Sequence, residues 1–272
     1  MILIRWWQAH MPPIFNLLVI LFLMAPLIVV VGASFNDGEF TAFPPRGFSF
    51  EWYAAVVGDP AFVNSFLLSG RIAVESALIT MVIGLTAALA IQRLDRWFTP
   101  ILQFLALGPL ILPEVLMGLG LLNFLVGQLG VRLNEVTLVL AHVLVTLPFV
   151  VNIVSSALSQ HDRNLEAAAR SLGANPIVAF FTVILPSIRG SVVAGGLFGF
   201  IFSFDNIGMS LFMSVPGLVP LPIRLYQYVQ YRYDPTIAAA STAMIVISVV
   251  IFLIARRLVN IEEAFGGRKT GS

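Results

Sequence analysis

The chain has 272 residues, 58% of them hydrophobic and 11% charged, with a formal net charge of +1. Soluble domains carry about 25% charged residues, so a water-soluble globule is excluded, because most of the apolar surface would find no core to enter. With no cysteine, disulfides and thiolate metal sites are excluded. With Lys269 as the single lysine and no basic face interleaved with aromatics, nucleic-acid binding has no support.

Several stretches of about twenty apolar residues predict an all-α, polytopic membrane protein forming a single transmembrane domain over 1–272. The first span is expected at 14–31, after Pro12 and Pro13, a pair that suits a helix start. Val31-Gly32-Ala33 weakly resembles a signal cleavage site, but the apolar stretch exceeds a normal signal core, which favours a retained anchor. Residues 34–60 carry Asp37, Glu39, Glu51 and Asp59 against Arg46, with Phe48, Phe50, Trp52 and Tyr53. That mixture predicts an outer loop with a short helix in the interfacial belt. The second span, 72–91, is closed by Arg93 and Arg96 and bears a stripe of small residues, Thr80, Gly84, Ala87 and Ala88, that admits a close neighbour.

The third span, 101–126, contains Pro109, Pro113, Gly118 and Gly120 and is expected to be bent or broken. A fourth lies at 134–156, with Pro148 near its inner end. The fifth is placed at 188–213, where Gly195, Gly199 and Ser203 form a close-packing face, and the sixth at 236–255. With the N-terminus inside, the inner segments hold Arg5, Arg93, Arg96, Arg163, Arg170, Arg189, Arg256, Arg257, Arg268 and Lys269. The outer segments hold Arg46, Arg132, Arg224 and Arg232, with Arg71 at a boundary. The bias puts both termini, and the loop at 160–186, in the cytoplasm.

Residues 166–186 of that loop read EAAARSLGANPIVAFFTVILP. Leu165, Ala168, Ala169 and Leu172 share a helical face, Gly173 can end that helix, and Asn175-Pro176 turns into a second one. Residues 177–185 are apolar but too short to span, and Pro186 is expected to break the chain before the fifth span. By composition alone, an amphipathic loop lying on the membrane fits as well as a docking knob.

The order Glu166-Ala167-Ala168, Leu172-Gly173-Ala174, then Phe181, Val183 and Leu185-Pro186 resembles the EAA loop of permease subunits in bacterial ABC importers. SFND, GFSFEWY and FVNSFLLS in the region from Ser34 onward are similar to the spermidine/putrescine branch of that family. So are SFDN around Asp205, Val215-Pro216-Gly217, Leu221-Pro222 and DPTIAAAST from Asp234; where the branch commonly has SFDE, this chain has Asn206. The resemblance implies the type I importer fold, with six transmembrane helices and a coupling helix between the fourth and fifth. It implies docking on a cytoplasmic ATPase through Glu166, Ala167, Ala168, Leu172, Gly173, Ala174, Leu185 and Pro186, with Glu166 meeting a cation there. It also implies a bacterial inner-membrane location and four partners: two ATPase subunits, a second permease subunit and an extracytoplasmic solute-binding protein. ATP and Mg²⁺ would bind the ATPase, with no cofactor on this chain. The implied cargo is a small polar solute, first a polyamine; opines, thiamine, phosphonates and iron are carried by others in the branch.

The residues agree with a non-catalytic role. No G-x-x-x-x-G-K-[ST] occurs, His10, His142 and His161 are scattered, and no serine sits in a G-x-S-x-G elbow. An ionisable group at mid-bilayer costs about 2.5–3.5 kcal/mol, so those inside spans need a reason. At a rise of about 1.5 Å per residue, Glu114 and Asp205 lie about 20 and 25 Å from the inner ends of their spans. His142 lies about 12 Å from the outer end of its own. Asp205, Asn206, Glu114 and His142 are therefore candidates for a solute pathway, although a histidine in this setting is more often a packing residue and Glu114 fits equally as a partner for freed backbone groups or another helix. Asp205 is expected on one helical face with Phe198, Phe202 and Met209, and Glu75 is expected to pair with Arg71 four residues earlier. A stand-alone ion-coupled transporter using the same groups is the other reading, and it leaves 166–186 unexplained.

Overall fold

The computed structural model describes residues 2–94, 97–232 and 234–258, with side chains from 15 to 254 apart from Arg163. Of the charges that suggest an orientation, Arg96, Arg268 and Lys269 lie outside the described residues, as do the side chains of Arg5, Arg163, Arg256 and Arg257. The elements are α1 (Ile2–Ala33), α2 (Glu51–Gly58), α3 (Pro60–Arg93), α4 (Thr99–Leu107), α5 (Glu114–Leu122) and α6 (Glu135–Gln160). They continue with α7 (Arg163–Ser171), α8 (Pro176–Ala179), α9 (Leu185–Phe204), α10 (Ser210–Met213), α11 (Leu221–Tyr231) and α12 (Thr236–Leu258).

Five helical stretches are long and apolar enough to cross a membrane: Phe15–Ala33, Pro60–Arg93, Glu135–Gln160, Pro176–Phe204 and Thr236–Ile254. A sixth candidate is the pair Thr99–Leu110 and Glu114–Gln128, bent by 103°. The bend falls at Pro113, whose ring disfavours helical geometry at the residue before it and which supplies no N–H. The span is thus broken as expected, at the proline, while Gly118 and Gly120 lie within α5.

Three local expectations are corrected. The helix of the first span begins at Ile2 and runs through Pro12-Pro13 instead of starting after them. Pro186 does not break the chain: a π-helical turn at Phe180–Ile184 directly precedes α9, giving one helical stretch, Pro176–Phe204. The wider turn relieves the missing N–H and the ring clash that a proline brings. Residues 177–185 therefore belong to that helix. The fifth span is not one helix to 213, because α9 stops at Phe204 and α10 begins at Ser210.

The chain forms two compact units. One comprises 1–63 with 225–247, the other 64–224 with 248–272. In the first, Asn36 is buried and organises the loop after α1: its Nδ2 donates to the Phe40 carbonyl at 2.8 Å and its Oδ1 accepts from the Arg46 N–H at 2.9 Å. Trp52 Nε1 donates to the Asn36 carbonyl at 2.8 Å, and the Phe35 ring packs on Phe48, Phe50 and Tyr53. The SFND tetrapeptide is thus a loop-folding device. In the same unit Asp234 accepts from Tyr228 and from the Thr236 N–H, which caps α12.

The second unit is built around α6. Val150 is fully buried and faces glycine on both sides: a Cβ on Gly84 of α3 would come within 2.7 Å of Val150 Cγ1, and one on Gly195 of α9 within 3.4 Å. The two small-residue faces read from the sequence therefore meet the same residue of α6. Four and eight residues earlier on that stripe, Thr146 bonds Thr80 at 2.9 Å and His142 bonds Ser203 at 2.8 Å. In lipid, where no water-driven force joins helices, such close packing and hydrogen bonding hold them together.

Gly84→Leu should overpack this crossing and cost about 1–3 kcal/mol, read as a lower thermal midpoint of the purified protein in detergent. Gly70→Ala, on the same helix where an added Cβ meets nothing within 4 Å, should leave that midpoint unchanged or raised.

Candidate functional site

Two places collect the residues singled out by the sequence. The first is the loop between α6 and α9. Asp162 caps α7, its Oδ1 accepting from the Asn164 N–H at 2.9 Å. At the other end Gly173 has φ +95°, the Gly173 N–H bonds the Arg170 carbonyl at 3.0 Å, and the Ala174 N–H bonds the Ala169 carbonyl at 3.1 Å. That pair of bonds is a Schellman closure, which requires a left-handed residue where glycine stands. Asn175 Oδ1 then caps the next turn by accepting from the Val178 N–H at 2.8 Å, with Pro176 at its first position. Both turns are closed by specific bonds, so the loop is a stiff knob.

The knob presents apolar side chains outward. Leu172 is 90% exposed and Ile177 68%, and Leu165, Ala167 and Ala168 are exposed as well. Leu185 and Pro186 lie in the first turn of α9 and Ala174 in the turn itself. Glu166, expected to meet a cation of another protein, is held within this chain. Arg93 Nη2 donates to Glu166 Oε1 at 3.0 Å and Oε2 at 3.1 Å. A cleft of about 390 Å³ lies between α7 and the ends of α3 and α6, lined by Leu89, Gln92, Arg93, Leu158, His161, Glu166, Ala167, Arg170 and Ile184. The sequence offered Arg93 only as an orientation charge; nothing local signals its partner.

The second place is the bend between α9 and α10. His142 is buried, with Nδ1 bonded to Ser203 Oγ at 2.8 Å and Nε2 to Ser210 Oγ at 3.0 Å. In a neutral ring one nitrogen donates and the other accepts, so the two serines take opposite roles. Ser76 of α3 also donates to Ser203 Oγ at 2.9 Å. His142 thus clamps both sides of the bend from within the packing and is enclosed by it. Ser76, Ser203 and Ser210 complete the clamp; of these, the sequence marked only Ser203, and as a packing residue.

Between the clamped ends, Asn206 is buried, its Nδ2 donating to Glu114 Oε2 at 2.9 Å and its Oδ1 accepting from the Met209 N–H at 2.9 Å. Glu114 stands in the first turn of α5, where the helix dipole favours a carboxylate. Gly208 lets it approach, since a Cβ there would come within 2.6 Å of Glu114 Cβ. Asp205 is the C-cap of α9 and is exposed. It therefore does not share a helical face with Met209, as a continuous helix would have required. Glu75 is not the partner of Arg71 either: Arg71 Nη2 donates to Glu135 Oε2 of α6 at 2.8 Å. Among the described residues no three His, Asp or Glu side chains converge as a metal site.

Long apolar helices, a broken pair with a carboxylate at the break, and a stiff knob between two of the long helices define a multi-pass membrane transport protein. Residues 80–261 match the family model described as the binding-protein-dependent transport system inner membrane component. The chain belongs to this family and is a permease subunit of an ABC importer, located in a bacterial inner membrane.

It is 32% identical over 230 residues to the putrescine transport system permease protein PotI of Escherichia coli K12, covering 82% of each chain. To the spermidine/putrescine transport system permease protein PotC of the same organism it is 29% identical over 245 residues, covering 90% of this chain and 92% of that one. Among solved structures it is similar to a bacterial ABC transporter involved in the import of alginate, with TM-score 0.74 and 15% identity, covering 93% of this chain and 95% of that one. It is also similar to the inward-facing MetNI methionine ABC transporter, with TM-score 0.60 and 19% identity, covering 73% and 94%. In this family ATP hydrolysis belongs to a separate subunit.

His142→Phe should leave Ser210 without its ring partner while Ser203 keeps Ser76, costing about 1–3 kcal/mol for the stranded buried group, and should lower the thermal midpoint of the purified protein. Gly173→Pro, placed where φ is +95° and where the N–H bonds the Arg170 carbonyl, should open the Schellman closure and lower the same midpoint.

Proposed function

We propose that this chain forms one half of the wall of a polyamine pathway, crossing the membrane six times with both termini in the cytoplasm. A second permease subunit supplies the other half, two ATPase subunits bind ATP and Mg²⁺ beneath, and an extracytoplasmic binding protein delivers the cargo. The pathway then reorients from inward-facing to outward-facing when the ATPase pair closes and displaces the loop at 160–186.

The observation that carries the cargo reading is Asp205. Its carboxylate is exposed at the C-terminal end of α9, where the helix dipole is already negative and an uncompensated acid is unfavourable. Among the described residues its side chain makes no hydrogen bond or ion pair, whereas Glu114 is bonded to the buried Asn206. A cationic solute would relieve the charge of Asp205. PotI and PotC, whose names specify putrescine and spermidine, are the relatives that fit.

The docking reading is supported by the exposed apolar tip, Leu172 with Ile177 and Leu165, on a loop whose backbone is closed at both turns. An exposed apolar patch on a stiff element is what a partner covers.

Asp205→Asn should lower uptake of labelled putrescine or spermidine by about tenfold or more, the worth of a charge-assisted contact, in liposomes holding the whole transporter. Unchanged uptake and unchanged substrate-stimulated ATP hydrolysis would remove Asp205 from the pathway. Deletion of 166–173 should release the ATPase on purification, and its retention would refute docking through this loop.

A further inference from the structure

We infer that Arg93 is a positioning residue for coupling: it straps α7 to the end of α3, so that a displacement of α7 enters the bundle through α3 as well as through the helices joined to it along the chain. The inference rests on α7 being where the ATPase docks. Helix α7 packs against the segment that follows it, α8 and the π-helical turn at Phe180–Ile184. That route leads directly into α9. Toward α3 and α6 the same helix stands over the cleft of about 390 Å³, so side-chain packing there transmits little of a push.

Arg93 bridges that gap. It is the last residue of α3, and its Nη2 reaches both oxygens of Glu166 at 3.0 and 3.1 Å. The side chains are 45% and 22% exposed, so the pair is neither fully solvated nor buried. The other ion pair among the described residues, Arg71 with Glu135, ties α3 to the start of α6. Helix α3 is thus fastened to α6 about a third of the way along and to α7 at its last residue. Removal of Arg93 leaves the movement to the helices joined to α7 along the chain, α6 through His161 and Asp162 and α9 through α8 and the π-helical turn.

The test uses the complete transporter in liposomes, with ATPase retention, ATP hydrolysis and uptake measured on the same preparation. Arg93→Gln keeps the stem of a half-exposed side chain and should retain the ATPase and its hydrolysis. Uptake per ATP hydrolysed should fall about two- to fivefold, the scale of a partly screened ion pair. Arg93→Lys, which can still donate to both oxygens, should recover most of the loss. Arg93→Glu should be worse than Arg93→Gln, and combining it with Glu166→Arg should recover part of that deficit. Wild-type uptake per ATP in Arg93→Gln overturns the strap, as does a lysine variant no better than the glutamine one. The two readings separate cleanly. If deletion of 166–173 releases the ATPase while Arg93→Gln behaves as wild type, the strap alone is wrong. If the deletion leaves the ATPase bound, docking through α7 fails and the strap with it.

Discussion

Val150 meets glycine on two sides, and the arrangement of the second unit depends on that contact. A side chain on Gly84 or Gly195 would hold α3 or α9 away from α6. The hydroxyl pairs above the crossing then could not close: Thr80 reaches Thr146 at 2.9 Å, and Ser76 reaches Ser203 at the same distance. Polar groups this short can bond between helices only when the backbones are near. In a lipid solvent those bonds and that packing replace the hydrophobic force which assembles soluble helices.

The bend after α9 follows from the same arrangement. His142, on the α6 stripe that carries Val150, holds Ser203 on one side of the bend and Ser210 on the other. With both ends fixed, the residues between them need not be helical. Asn206 then turns inward to Glu114, while Asp205 is left outward at the negative end of a helix. A continuous helix would have buried or exposed these neighbours by rotation alone. The break separates them, giving one a structural bond and leaving the other exposed.

The loop between α6 and α9 obeys a different constraint. Its stiffness comes from backbone bonds at Gly173 and a side-chain cap at Asn175, so it needs little support from the bundle. This is compatible with the cleft beside α7 and with apolar residues left uncovered at its tip. Such an element can be pushed as a body, because its shape does not depend on what lies beneath it.

The sequence by itself determined the features that depend on neighbours along the chain. Apolar run length marked the long helices, Pro109 and Pro113 marked the broken pair, Gly173 and Asn175 marked the turns, and the EAA order marked the family. The glycine faces of α3 and α9 were legible too, because small residues at helical spacing leave a groove whatever fills it. The tertiary structure decided what depends on rotation and offset between helices. Arg71 has an acid four residues away but bonds Glu135, a carboxylate that only the packing of α6 against α3 brings within reach. Glu166 bonds Arg93 across 73 residues, Pro186 is absorbed by a π-helical turn, and α9 ends at Phe204 where His142 and Glu114 can fasten the chain beyond it. Periodicity records which residues share a face; it holds no information on which helix that face will meet, because packing alone sets the rotation and axial shift.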